Sequence, residues 1–292
     1  MAKTLISITT YKKCEALDNL LKSLVNTGYS EFPIVVCDDN AGLVDSKVGK
    51  NCKEIVEKYS KDIKDLKLCY NEYTHSLGVA LNKNRGIREF LKNPEKYDSL
   101  LQLDDDILLM QDGLVDHLFK ASEKCNISHI NGYWTDFDQN RLSSSKLVGL
   151  TGNNWYKDFP IKAIGYDEDY NEYISFHQGT QGCCVWAKKD AVLGVGYFNK
   201  FPYRYGMEHS AWSARINRLE GLPPELFPVL LRSEKYIMGQ NIGNDYPIDH
   251  EKLNGIQTLA YRKVLSDTYK GIEILQSESN LPRKGEKVID FS

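Results

Sequence analysis

The first 110 residues alternate between short β-branched apolar runs and stretches of helical spacing, and this alternation restricts the chain to a layered α/β fold. Residues 4–10, TLISITT, read as a strand, and Leu17, Leu20, Leu21 and Leu24 recur at the spacing of an amphipathic helix. FPIVVC at 32–37 is a second strand, closed by the polar turn DDNAG; a helix over about 45–60 then leads to a strand, LKLCY, at 66–70. The segment HSLGVALNKNRGIREFLKN predicts a loop running into a helix that stops near Pro94, and SLLQLDDDILL at 99–109 is the next buried strand. Such units give a mixed, mainly parallel sheet flanked by helices on both faces.

In sheets of this kind ligands sit beyond the carboxyl ends of the strands. Three strand ends therefore matter: Thr9 to Tyr11, Asp38 to Asn40, and Asp104 to Asp106. Together they predict one crevice edged by hydroxyls, an aromatic ring and carboxylates, the outline of a nucleotide site. Three like charges at one strand exit raise the free energy of the fold unless something positive neutralises them. Hard oxygen ligands suit Mg²⁺ or Mn²⁺, which keep positions open for water and phosphate oxygens. The alternative for the same residues is a solvated acidic turn leading into the next helix.

Composition removes several classes. With 292 residues, 41% hydrophobic, 26% charged and a formal net charge of −3, the chain reads as an ordinary globular protein without the basic excess of many nucleic-acid binders. Its seven cysteines are odd in number and contain no CxxC pair, which fits reduced, buried thiols better than a disulfide framework or a zinc site. No run approaches the roughly 18 apolar residues of a membrane span. The expected location is therefore the cytoplasm, or a host's cytoplasm for a phage-encoded chain. No GxGxxG follows the first strand, against a dinucleotide oxidoreductase. A complete strand–helix–strand unit precedes the aspartates, against a phosphatase of the haloacid-dehalogenase kind, whose nucleophile lies on the first strand.

After residue 110 the pattern becomes irregular, aromatic and glycine-rich, with short strand-like pieces at 127–134, 147–150 and 181–187. GLPPELFP at 221–228 breaks structure, and a helix over about 250–269 precedes a polar tail ending KGEKVIDFS.

Five segments carry a resemblance: ISITTYKK, IVVCDDNAG, SLGVALNKNRGI, LQLDDDI and VGYFNKFPYRYGMEHSAWSARINR at 195–218. Their order and spacing over residues 4–220 resemble the GT-A nucleotide-sugar glycosyltransferases, and within them the inverting family 2 group. The resemblance implies a GT-A domain over 1–220, with a nucleotide-sugar half at 1–110 and an acceptor half at 111–220, and a C-terminal helical extension and tail at 221–292. It implies a sugar moved from a UDP-sugar donor to an acceptor hydroxyl with inversion, aided by Mn²⁺ or Mg²⁺. Thr9 and Tyr11 would line the base and ribose pocket, and Asp38 or Asp39 would accept uracil or ribose hydrogen bonds. Asn84 and Arg85 would meet the diphosphate, with Lys83 as a substitute point charge. Asp104 falls on the ribose or sugar side and Asp106 on the metal, Asp104 also counting as a candidate ligand; Asp105 either shapes the loop or coordinates. A third metal ligand would be His250 or His177.

The same resemblance places the acceptor's general base in a glutamate-aspartate pair, but this chain has Glu208 and His209 there. Either Glu208 takes the proton, or His209 does with Glu208 orienting it. The change also leaves open an inactive nucleotide-sugar or carbohydrate-binding module. For an active enzyme the acceptor is a saccharide or lipid-linked glycan, or a hydroxylated base in DNA as in bacteriophage transferases. A basic rim from Lys146, Lys157, Lys162, Lys188, Lys189, Lys200 and Arg204 would favour DNA. Trp134, Trp155, Trp186 and the tyrosines around 166–173 are either sugar-stacking platforms or core.

Overall fold

A computed structural model describes residues 3–39, 49–71, 76–132, 173–177, 182–203, 206–240, 253–272, 274–276 and 286–292. Its first half follows the expected alternation: β1 (Thr4–Thr10), α1 (Cys14–Asn26), β2 (Pro33–Asp38), α2 (Cys52–Lys58), β3 (Asp65–Asn71), α3 (Val79–Lys92), β4 (Ser99–Asp104) and β5 (Ile107–Leu109). The second half contributes α4 (Leu114–Cys125), β6 (His129–Gly132), β7 (Ile174–His177), β8 (Cys184–Lys188), α5 (Lys189–Val195), α6 (Glu208–Leu219), β9 (Phe227–Leu230), β10 (Ile237–Gly239), α7 (Thr258–Tyr269) and β11 (Glu286–Asp290). The strand-like stretch at 147–150 lies outside the described residues.

Among the described residues nine strands form one mixed sheet in the order β11-β3-β2-β1-β4-β8-β6-β9-β7, and β10 pairs with β5 beside it. The block β3-β2-β1-β4 is parallel. The central strands are apolar on both faces because helices cover both. Ile6, Ile8, Val36 and Leu101 pack with Leu17, Leu20, Leu21 and Leu24 of α1 on one side. Leu5, Val35 and Leu100 pack with Ile87 and Phe90 of α3, Val192 of α5 and Trp212 of α6 on the other. Each leucine of that α1 stripe is fully buried, worth about 2 kcal/mol apiece.

Helix α3 lies so close to β1 that a Cβ on Gly86 would stand 1.9 Å from Ser7 Oγ. Only glycine fits there. That approach presses the first turns of α3 into the sheet and buries Asn82, Lys83, Asn84 and Arg85, so NKNR is an interior segment rather than an exposed basic turn.

The segment after residue 220 is no helical appendage. It supplies β9 and β11 to the main sheet and β10 to the small one. The polar tail becomes an edge strand antiparallel to β3, with Glu286 opposite Asn71 and Asp290 opposite Lys67. All seven cysteines are buried and free, as their number and setting predict.

Candidate active site

The parallel register brings the three strand ends together. Thr9 stands opposite Asp104, and Thr10 opposite Asp38. Beyond the strands, the Asp39 N–H donates to the Thr10 carbonyl at 3.1 Å and the Asp105 N–H to the Thr9 carbonyl at 3.1 Å, extending both pairings into the turns. Asn82, one turn into α3, donates to the carbonyls of Thr10 at 3.0 Å and Cys37 at 2.7 Å, stitching two of these ends from below. Gln240, following β10, donates to the carbonyls of Asp105 at 2.9 Å and Ile107 at 3.0 Å and holds the acidic turn from its other side.

Two lysines meet the acidic turn. The fully buried Lys83 ammonium lies 3.1 Å from Asp104 Oδ1 and donates to the Gly182 carbonyl at 2.9 Å. Lys13, at the start of α1, stands 3.7 Å from both Asp105 Oδ1 and Asp106 Oδ2. Burial pushes the Asp105 carboxyl up to about 7, with Asp106 and Asp104 adding to the shift and Lys13 and Thr10 opposing it. Burial likewise raises Asp104 against the pull of Lys83. For both lysines burial favours the neutral amine, but the carboxylates outweigh it and hold the ammonium above its ordinary range.

The turn suits a hard divalent cation. Asp105 Oδ2 and Asp106 Oδ1 are buried acceptors with no hydrogen-bond partner among the described residues. Asp106 is the most open of the three carboxylates, with its side chain 35% exposed. Among the described residues no group of three His, Cys, Asp or Glu side chains is placed to hold a metal ion. His250 lies outside the described residues, and His177 falls in β7.

On the far side of Lys83 from Asp104, α6 begins after Met207, whose left-handed backbone (φ 70°) turns the chain so that Glu208 and His209 lead the helix. Glu208 Oε1 is 4.0 Å from Lys83 Nζ and 3.5 Å from His209 Nδ1. Burial alone would raise this carboxyl, yet the His209 ring and Lys83 hold it at about 2. A carboxylate that acidic binds a proton poorly. Gly182 closes the group: a Cβ there would sit 2.7 Å from His209 Nδ1 and 3.1 Å from Lys83 Nζ. Lys83 thus links Asp104 on the strand side to Glu208 on the helix side.

Several expected donor contacts are engaged inside the protein instead. Asn84 accepts from the Phe198 N–H at 2.6 Å and donates to the Phe198 carbonyl at 3.1 Å, fastening α3 to the loop before α6. The Arg85 guanidinium is wholly buried, donating to Asn82 Oδ1 and, at 3.3 Å, to the Asp38 carbonyl, with Glu286 Oε1 3.3 Å from its Nε. In this arrangement both side chains are committed to partners within the protein. Asp39 accepts from Asn71 at 3.1 Å, from Ser76 and from the Gly78 N–H at 3.0 Å, securing the approach to α3. Thr9 is 7% exposed and Asp38 is fully buried. Tyr11 is half-buried, with the Lys12 ammonium 5.2 Å from its ring centroid.

Trp186 is core, packed edge-on against Phe119 at 4.9 Å, so it offers no platform. Trp134, Trp155, Lys146, Lys157, Lys162 and Arg204 lie outside the described residues, and Lys189 pairs with Glu95 at 3.5 Å. Sequence reasoning missed Lys13, Asn82, Gly182, Gln240 and Glu286. Lys13 and Asn82 sat within or beside quoted motifs; the other three carry no local signal, since their roles depend on distant partners.

No family model matches the sequence, and no curated protein matches it. Solved structures do. S. aureus TarS 1–349 in complex with UDP-GlcNAc superposes with a TM-score of 0.52 at 15% identity, over 91% of this chain and 71% of that one. A structure titled simply S. aureus TarS gives 0.52 at 13%, over 95% of this chain and 44% of that one. GalNAc-T7 with UDP, GalNAc and Mn²⁺ gives 0.59 at 11% identity, over 92% of this chain and 49% of that one. At these identities the likeness is one of fold.

Proposed function

We propose that this chain, which has the GT-A fold of the nucleotide-sugar glycosyltransferases, is itself a transferase moving a sugar from a UDP-type donor to an acceptor hydroxyl with inversion. One observation carries the reading: Lys83 ties the carboxylate at the end of β4 to the Glu208–His209 pair at the head of α6, so one crevice has a donor wall and a proton-accepting wall. Thr9 and Tyr11 border the base and ribose, and Asp104 faces the sugar. Asp106, supported by its neighbours, would hold Mn²⁺ or Mg²⁺, which when bound neutralises charge on the departing diphosphate. Lys83 takes over the cationic role expected of Arg85, its ammonium kept charged by Asp104 and Glu208.

His209 is the base in this proposal. A ring nitrogen of the imidazole can take up the acceptor's proton. Glu208, held at about 2, stays ionised, orients the ring and stabilises the imidazolium that forms when the acceptor's proton arrives. Its 3.5 Å separation from His209 Nδ1 is loose enough to tighten as charge develops.

The test is a thermal-shift series with UDP, UDP-sugars and Mn²⁺, followed by donor turnover. Wild type is expected to be stabilised by UDP plus Mn²⁺ more than by either alone. His209→Gln is expected to lose roughly 10²-fold or more in kcat while binding UDP normally. Stabilisation by UDP-sugar without hydrolysis or transfer to any acceptor would mark a binding module instead.

A further inference from the structure

Two features at the start of α1 run against local preference. Lys12 adopts a left-handed backbone (φ 56°), which costs a non-glycine residue about 1 kcal/mol. Lys13 occupies the N-cap, where Ser, Thr, Asp or Asn is favoured, makes no side-chain capping bond, and sets a positive charge at the positive end of the helix dipole. What the two unfavourable choices achieve is the position of one ammonium: 3.7 Å from Asp105 Oδ1 and 3.7 Å from Asp106 Oδ2, on a side chain 14% exposed. The ammonium thus stands at equal distance from two carboxylates and balances the charge of both. The other oxygens, Asp105 Oδ2 and Asp106 Oδ1, are buried and have no hydrogen-bond partner among the described residues.

From this geometry we infer that Lys13 is a tethered competitor of the divalent cation. Its single charge holds the acidic turn together in the metal-free protein, and a cation binding Asp106 has to displace it. The inference rests on the proposed transferase site and adds a property that site need not have: cation binding without nucleotide is weak because a residue of the chain already stands there. Lys13 acts here on the metal ligands and is no catalytic residue.

Mn²⁺ titrated into the nucleotide-free protein, followed by calorimetry or by the electron-spin signal of the free ion, tests it. Lys13→Gln is expected to bind Mn²⁺ about fivefold more tightly than wild type, the scale of a partly exposed ion pair. Lys13→Arg is expected to bind it more weakly than wild type, because a forked guanidinium can engage both carboxylates; this comparison stands even if the glutamine variant fails to fold. Lys12→Gln removes the same charge one position earlier, from a side chain whose ammonium lies over the Tyr11 ring, and is expected to change the affinity less than about twofold. Equal affinities across the series, or equal tightening in the Lys12 and Lys13 variants, would overturn the competition while leaving the transferase reading intact. Absence of Mn²⁺ binding in every protein, with UDP present, would overturn both.

Discussion

The acidic turn shows how one side chain can be useful to a site and costly to the fold. Asp105 is 5% exposed and lies between two other carboxylates. Its folded-state value, about 7, stands above the ordinary 3.8, so the folded protein holds this proton more tightly than the unfolded chain does. Stability contributed by the neutral acid is therefore present below about pH 4 and lost as pH rises toward 7. Asp105→Asn removes the ionisation, and the metal-free variant is expected to be more stable than wild type at pH 8 by a few kcal/mol at most, with the gap closing near pH 4. Melting curves at pH 4, 6 and 8 measure this, and a gap independent of pH would contradict it. The aspartates themselves were legible in the sequence, because three carboxylates ending an apolar run are unusual. Lys13 was not, since a lysine after Tyr11-Lys12 looks like surface until the turn is built.

Among elements, α3 and α6 pack on the same face of the sheet and bring Lys83 to the Glu208–His209 pair. Their meeting is controlled by a residue on neither helix. Gly182, just before β8, leaves room for the His209 ring and the Lys83 ammonium on its vacant side. Gly182→Ala is expected to push the two apart and lower kcat by about tenfold or more, as small misplacements of reacting groups do. UDP affinity is expected to stay near wild type, and a parallel loss of UDP binding would show that the glycine serves the donor wall instead. The helical spacing of α3 was readable, and so was its NKNR run. That the run is interior was not, because hydropathy marks four polar residues as exposed. Only the contact of Gly86 with Ser7 reveals that the sheet has taken them in.

At the scale of the whole molecule, the chain's last described strand supports its first functional half. Glu286 in β11 pairs with Arg88 in forked geometry and stands 3.3 Å from Arg85 Nε, while Arg85 holds the Asp38 carbonyl and the Asn82 amide. Glu286→Gln leaves a wholly buried guanidinium without that carboxylate and is expected to cost about 3 kcal/mol. Denaturant unfolding checks the loss, and a change under about 1 kcal/mol would show that Asp39, 3.8 Å away, suffices for Arg85. By itself the sequence determined the order of strands and helices in the parallel half and the edge at which Thr9, Asp38 and Asp104 come together. Periods of 2.0 and 3.6 are local, and parallel connection then forces the carboxyl ends to one edge. The tertiary structure alone decided which polar side chains meet the acidic turn and which pair within the core. Lys83 rather than Arg85 faces the acids, and a tail read as polar closes the sheet, because burial and pairing join residues such as Lys83 and Gly182, 99 apart, or Arg88 and Glu286, 198 apart, and no window of neighbouring residues contains both partners.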